Sequence, residues 1–160
     1  MWFILAVFAG FLFATNRLLV RSVLRDGGNP IAFVGAHNVI AGLLLLPAAL
    51  YHPALPHSIG AWAVLSCAIV AFFLGDLFAF LSLERIEASV YQILGQVRHV
   101  IVLFGGFLLF HEGITVPKII SILLLMTGVA IALVERSRIG LSKGALYGII
   151  SPIFISLGFL

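Results

Sequence analysis

The fold is decided by the stretch ASVYQILGQVRHVIVLFGGFLLF, which occupies residues 88–110. Its 23 residues carry a single formal charge, that of Arg98. An α-helix rises about 1.5 Å per residue, so about 20 apolar residues cross the ~30 Å hydrocarbon core of a bilayer. The stretch therefore predicts a membrane-spanning helix with a guanidinium near its middle.

The rest of the chain has the same apolar character. Hydrophobic residues make up 62% of it and charged residues only 9%, whereas soluble domains are about 45–50% apolar and about 25% charged. With a mean hydropathy of +1.24, lipid must solvate much of the surface. The net charge of +3 comes from basic residues at the edges of apolar runs, which the positive-inside rule explains better than nucleic-acid binding does.

The sequence contains none of the usual marks of an enzyme. The single cysteine, Cys67, can form neither an internal disulfide nor a multi-thiolate metal site. No phosphate-binding Gly-rich loop, nucleophile elbow or zinc-binding helix motif occurs. We therefore expect no catalytic residues, no cofactor and no metal.

Clusters of helix-breaking residues, such as DGGNP at residues 26–30, divide the chain into six apolar runs. The first run covers residues 2–20, and its helix can continue to Leu24 if Arg17 and Arg21 snorkel outward. Because backbone groups in hydrocarbon must be satisfied within each helix, the runs predict an all-α polytopic bundle. The other predicted spans are residues 30–50, 59–83, 88–110 and 114–134, with a sixth run at 144–160. Small residues that would let helices approach closely recur at four-residue spacing as Gly10/Ala14, Gly75/Ala79 and Gly144/Gly148.

One face of the fourth span is polar. At 100° per residue, Gln92, Gln96 and His99 fall on one stripe, and Tyr91 and Arg98 line its edge. A charge at mid-bilayer costs about 2.5–3.5 kcal/mol on insertion scales, so Arg98 should face protein or water. We interpret the stripe as the wall of a polar cavity; hydrogen bonding between helices is the alternative.

Further polar groups lie inside other spans. We expect Asp76 in the third span to pair with Arg98, with proton transfer as the alternative role. The predicted substrate-binding residues, each of which could instead only bond a neighbouring helix, are Asn16, His37, Asn38, Asp76, Tyr91, Gln92, Gln96, Arg98 and His99. Glu112, at the turn after the fourth span, is expected to accept backbone N–H bonds from the next helix, which is a structural role.

The third, fourth and fifth spans resemble the EamA-type repeat of the drug/metabolite transporter superfamily. The resemblance rests on GDLFAFLSLERIEAS at residues 75–89, on Phe110-His111-Glu112, and on Gly128-Val129. Glu112 matches the characteristic glutamate of that family. Two positions depart from the pattern, because His99 stands where many members have proline and His111 replaces the usual glycine.

The resemblance implies the domain organisation. Residues 1–134 would form one five-helix repeat, residues 135–143 a polar loop, and residues 144–160 the truncated start of a second repeat. Because five is odd, the second copy would insert inverted, with the substrate site between the copies.

The implied function is secondary transport. We expect a permease or exporter of a small metabolite in the cell membrane, working by alternating access and driven by an ion, a proton or exchange. The expected partners are that substrate and the lipid bilayer but no nucleic acid, and homodimerisation is left open. The alternative is a noncatalytic membrane scaffold or assembly partner, whose polar residues only hold helices together.

The count of basic residues and the family resemblance predict opposite membrane orientations. The odd-numbered loops carry seven basic residues and the even-numbered loops only Lys118, which places the odd loops in the cytoplasm and the N-terminus outside. Members of the resembled family usually have a cytoplasmic N-terminus, which is the opposite arrangement. The seven residues counted are Arg17, Arg21, Arg25, Arg85, Arg136, Arg138 and Lys143.

Cysteine labelling decides between these orientations. In a Cys67→Ser background, we expect Ser137→Cys to react with a membrane-impermeant maleimide in inside-out vesicles and not in intact cells, because the basic loops lie in the cytoplasm. Lys118→Cys, in an even loop, is the matched control and should show the reverse pattern. Labelling of Ser137→Cys in intact cells would establish the opposite orientation.

Overall fold

The computed structural model describes residues 2–51, 56–111, 113–135 and 142–160. The regular secondary structure in these ranges is helical throughout. Four stretches within them are long and apolar enough to cross a membrane: 2–25, 30–51, 59–83 and 88–110. The prediction of an all-α polytopic bundle is confirmed. The helices are α1 (Trp2–Arg25), α2 (Pro30–Tyr51), α3 (Ile59–Leu83), α4 (Ala88–Gly95), α5 (Val97–Phe110), α6 (Val116–Glu135) and α7 (Lys143–Phe159).

Polar side chains fix where several helices begin. The Asn29 side-chain oxygen accepts the Ile31 N–H at 2.9 Å, and Pro30 occupies the first helical position of α2, where its missing N–H costs nothing. Ser58 accepts the Ala61 N–H at 3.1 Å at the start of α3. Ser142 caps α7 in the same way. These caps satisfy N–H groups that have no partner within their own helix.

Two residues with positive φ follow helix ends. Gly27, at φ 93°, turns the chain after α1, in a conformation that glycine adopts without strain. His111, at φ 52°, ends α5 in the left-handed region. A left-handed residue after a helix is usually glycine, which is the residue that the resembled family has at this position. The departure at His111 therefore leaves the helix end in place, although a side chain makes this conformation more costly.

The closest helix contact joins α3 and α7, which run antiparallel. A Cβ added to Gly75 would lie 2.5 Å from Ile155 Cγ1, and one added to Gly148 would lie 2.9 Å from Ser82 Oγ. The Ser82 hydroxyl donates to the Gly144 carbonyl at 2.9 Å. Small residues therefore bring the two backbones together, as membrane helices commonly do.

The other helices pack around this pair. α1 and α2 contact α3, α4 and α5 contact α7, and α6 lies against α4 and α5. A small buried cluster on the α1 and α2 side includes Val20, Val34 and Phe80. Large apolar side chains cover the outside, among them Leu44, which is 75% exposed, and Ile59, which is 90% exposed. A surface of this kind suits lipid.

The fourth span differs from the continuous helix that the sequence predicts, because it is interrupted at Gln96. The Gln96 N–H donates to the Ile93 carbonyl at 3.1 Å, and the His99 N–H donates to the Gln96 carbonyl at 3.0 Å. Both bonds join residues three apart, so the chain is wound more tightly here than in an α-helix. The Gln96 side-chain amide donates to the Gln92 carbonyl at 3.3 Å, and a side chain that enters the hydrogen-bond ladder is a recognised cause of such breaks.

The predicted small-residue pairs differ in what they do. Gly75 and Ala79 lie in the packed interior of α3, and Gly144 and Gly148 contact α3 and α4. A Cβ added to Gly10 would meet no other side chain or helix within 4 Å. The four-residue spacing at Gly10/Ala14 therefore makes no close helix contact within the described ranges.

Gly75→Leu should destabilise the bundle, whereas Gly10→Leu should not. A leucine at residue 75 would overlap Ile155 and force α3 and α7 apart, and overpacking of this kind costs about 1–3 kcal/mol. Thermal unfolding of the purified protein measures the difference. Equal unfolding temperatures for the two variants would mean that the α3–α7 contact is not what the structure shows.

Candidate functional site

An internal cavity of about 30 Å³ lies among α1, α4, α5 and α7. This volume holds about two water molecules or one small polar group. Its wall is formed by charged, phenolic and amide side chains together with helix α7. The residues on which the argument depends are Arg17, Tyr91, Gln92, Gln96, Arg98 and Pro152.

Four helix ends share one edge of the bundle. Residues 84–87 connect α3 to α4, and Arg21 Nε, near the end of α1, donates to the Ile86 carbonyl at 3.1 Å. A Cβ added to Gly144, at the start of α7, would lie 2.7 Å from Ile86 Cγ2. The ends of α1 and α3 and the starts of α4 and α7 therefore lie at the same level.

From that edge, the polar residues can be placed by depth. Arg17 lies eight residues before the end of α1, and Asp76 lies seven residues before the end of α3. Gln96 lies eight residues after the start of α4, and Pro152 lies nine residues after the start of α7. At about 1.5 Å per residue, all four lie roughly 10–14 Å from the shared edge. That depth is close to the middle of a ~30 Å hydrocarbon core.

The structure brings together only part of the predicted set. Tyr91, Gln92, Gln96 and Arg98 line the cavity. His99 is exposed on the outer surface, and Asn16 is half-buried but does not line the cavity. Asn38 is exposed, and its side-chain amide donates to the Val34 carbonyl of its own helix at 3.0 Å.

Arg17 is a cavity residue that the sequence interpretation missed, because it placed this side chain among those that snorkel outward. The residue is only 8% exposed. Its guanidinium carbon lies 4.8 Å from the centroid of the Phe13 ring and 5.3 Å from that of Tyr91, a distance at which aromatic rings attract a cation. The available signal was the length of α1, which puts Arg17 two turns inside the helix instead of at its end.

Asp76 interacts electrostatically with Arg17 and His37. The predicted Asp76–Arg98 pair is wrong, because within the described ranges no ion pair joins these two side chains. The His37 ring meets the Phe80 ring edge to face at a centroid distance of 5.8 Å. Asp76, which is half-buried, therefore lies within electrostatic range of Arg17 in the cavity wall and of the imidazole of α2.

Hydroxyl groups attach α7 to the fourth span. Tyr91 Oη and Ser151 Oγ are 3.1 Å apart in a buried hydrogen bond. The Ser156 hydroxyl lies 2.6 Å from the Pro152 carbonyl and 3.3 Å from the Arg98 carbonyl. These contacts fix the cavity wall that α7 supplies.

A wider groove lies on the other side of the two glutamines. Its volume is about 250 Å³, and its wall includes Leu125 and Val129 of α6 as well as Gln92 and Gln96. The glutamines therefore stand between the small internal cavity and an open groove large enough for a metabolite-sized fragment.

Glu112, the predicted structural residue of the family motif, lies outside the described residues. Within the described ranges, no three His, Cys, Asp or Glu side chains converge as metal ligands would. The chemistry that the cavity offers is binding through charge, hydrogen bonds and aromatic faces.

These features define an integral, multi-pass membrane protein that has an ionic and amide-lined cavity at mid-depth. The model of the EamA-like transporter family matches residues 1–134, so the chain belongs to that family, which is part of the drug/metabolite transporter superfamily. No curated protein and no solved structure matches the chain. Membership makes it a transporter of the drug/metabolite type and points away from an enzyme.

The proximity of Arg17 and Asp76 can be tested by a double-mutant cycle. Arg17→Gln and Asp76→Asn should each destabilise the protein because each leaves the other charge without its electrostatic neighbour in the low-dielectric bundle, and the double variant should recover part of the loss. We expect a coupling free energy of about 0.5–3 kcal/mol from thermal or denaturant unfolding.

The matched control is the cycle between Arg98→Gln and Asp76→Asn. Its effects should add to within about 0.5 kcal/mol, because the charged neighbours that act on Asp76 are Arg17 and His37 and not Arg98. Stronger coupling to Arg98 than to Arg17 would restore the pairing predicted from the sequence and contradict the structure.

Proposed function

We propose that the protein is a secondary transporter that moves a small metabolite by alternating access, with its binding site at the cavity that Arg17, Tyr91, Gln92, Gln96 and Arg98 line. One observation carries the proposal: charged and amide side chains from separate helices line a cavity at mid-depth. Isolated charges are costly at that depth, yet these groups surround an open space instead of packing directly against one another. Membership of the EamA-like transporter family supplies the context.

The repeat organisation forms part of this proposal. Residues 1–134 are the first five-helix repeat, residues 135–143 the connecting loop, and α7 begins an inverted second copy. The proposal is supported by the position of α7, since Pro152 and Ile155 complete a cavity whose other walls come from the first repeat. Inverted repeats generally place substrate sites at such a junction.

Transport is driven by an ion, a proton or exchange, since the sequence carries no nucleotide-binding motif. Asp76 and His99 are the candidate carriers of a coupling proton. Asp76 is favoured because it lies within electrostatic range of Arg17 in the cavity wall, whereas His99 is exposed and does not line the cavity. We propose the cell membrane as the location.

One observation favours the alternative, a noncatalytic scaffold. The cavity of about 30 Å³ is too small for a whole metabolite. A scaffold would keep it closed, whereas a transporter must open it to each side in turn. Access to Gln92 and Gln96 therefore separates the two functions.

Single-cysteine labelling of the full protein tests this difference. In a Cys67→Ser background, Gln96→Cys should react with a charged methanethiosulfonate reagent applied to intact cells and also when applied to inside-out vesicles, because alternating access hydrates the site from both sides. Gln92→Cys should behave in the same way. Absence of labelling from both sides would favour the scaffold.

Two control variants separate hydration from simple exposure. Val34→Cys lies at a fully buried position, and Leu44→Cys lies at a position that is 75% exposed on the apolar outer surface. Neither should react with the charged reagent, since one is packed and the other faces hydrocarbon. Labelling of Leu44→Cys at the rate of Gln96→Cys would show that the reagent does not report on an internal site.

A further inference from the structure

The Arg17 guanidinium carries donors that the protein leaves unused. The residue is only 8% exposed, it forms part of the cavity wall, and its Nε has no hydrogen-bond partner. A guanidinium presents five N–H donors in a rigid fork and accepts nothing. Buried polar groups almost always have partners, and leaving one unpaired costs about 1–3 kcal/mol or more when it is charged.

The neighbours of Arg17 stabilise its charge without filling this donor fork. The rings of Phe13 and Tyr91 attract the cation through their π-faces, at 4.8 and 5.3 Å, and a π-face does not replace the in-plane acceptors of a guanidinium. Asp76 acts on Arg17 through space, but the two are not within ion-pair distance. Nε itself is sealed from the cavity. The terminal N–H groups of Arg17 also have no hydrogen-bond partner among the described residues, so an acceptor for them can come from the cavity that Arg17 lines.

The charges around the cavity indicate the charge of that partner. Arg17 and Arg98 supply two positive charges, and Asp76 supplies one negative charge while it is ionised, so one positive charge then remains uncompensated when His37 is neutral. In that state a monoanion would neutralise the remaining charge, whereas a dianion would leave a net negative charge at mid-depth. Uncompensated charge is costly in a low-dielectric interior.

We propose that this cavity binds the carboxylate of a small organic monoanion, held through a bidentate contact by the terminal N–H groups of Arg17 and attracted by Arg98. A planar carboxylate matches the guanidinium fork, and a cavity of about 30 Å³ admits a group of two oxygens. The body of the ligand then extends past Gln92 and Gln96 toward the groove beside α6. This inference rests on the proposed function, to which it adds the class of substrate.

Ligand-dependent stability of the full protein in lipid nanodiscs tests the charge preference. Benzoate, benzylamine and inorganic phosphate are the probes, because the first two share a ring and differ in charge, and phosphate is a tetrahedral anion. A ligand that binds the folded state raises the unfolding temperature. We expect a concentration-dependent rise with benzoate and none with benzylamine or phosphate.

The residue assignment is tested with Arg17→Lys, which keeps the charge and removes the planar fork. Benzoate affinity, measured by equilibrium dialysis, should fall about tenfold or more, as expected where an Arg contact is bidentate. Arg25→Lys makes the same chemical change at the exposed end of α1 and should leave affinity unchanged. Circular dichroism of each variant checks that it is folded.

Several outcomes would overturn the inference. These are benzylamine or phosphate stabilising the unmodified protein as well as benzoate does, benzoate having no effect, or Arg17→Lys binding benzoate normally. The comparison among ligands uses the unmodified protein, so it stands even if a variant fails to fold.

Failure of this inference is distinguishable from failure of the proposed function. Benzoate binding that depends on Arg17, without labelling of Gln96→Cys from either side, would leave an anion site in a protein that does not transport. Labelling from both sides without benzoate binding would leave a transporter for another class of substrate and would overturn the carboxylate assignment.

Discussion

The antiparallel contact between α3 and α7 is the interaction on which the other features depend. Gly75, Gly144 and Gly148 remove the side chains that would hold the two backbones apart, and the Ser82 hydroxyl bonds across the contact. Once α7 lies this close to α3, its outer positions meet the fourth span. The buried Tyr91–Ser151 bond and the cavity wall at Pro152 follow from that placement. No comparable contact could form through leucine-sized side chains, because hydrocarbon solvates them as well as a neighbouring helix does.

The second constraint is the energetic cost of placing charged side chains at the middle of the bilayer. An arginine in hydrocarbon is expensive, so Arg17 and Arg98 must be covered by protein or water. The bundle covers Arg17 with two aromatic rings and puts Asp76 within electrostatic range. This arrangement lowers the cost of the charge and still leaves its hydrogen-bonding edge unused. A purely structural arginine would instead be expected to find acceptors among its neighbours.

The sequence correctly predicted most of the features that depend on a single helix. Apolar runs and their breakers gave the helices with nearly correct bounds, and the 3.6-residue period put Gln92, Gln96 and Tyr91 on one side of the fourth span, which is where the cavity lies. It failed where the answer depended on which helices are neighbours. Asp76 lies within electrostatic range of Arg17 in α1 and His37 in α2 and is not paired with Arg98, and periodicity alone contains no information about that choice. Asn38 and His99 are polar residues inside apolar runs, like Gln92, but their helices present them to the outside.

The helix break at Gln96 and the cavity depend on the same polar residues. A tightened turn disturbs the regular pairing of backbone groups, and in a membrane such irregular backbone is tolerated only where protein or water can satisfy it. Here the Gln96 amide meets the Gln92 carbonyl, and the Ser156 hydroxyl lies beside the Arg98 carbonyl. The resembled family often has proline at the position of His99, where the missing N–H would loosen the same turn. This chain reaches an interrupted helix without that proline, because side-chain hydrogen bonds from Gln96 and from α7 replace part of the ladder. The polar residues of the fourth span therefore shape the backbone as well as line the cavity, so the site and the helix break cannot be changed independently.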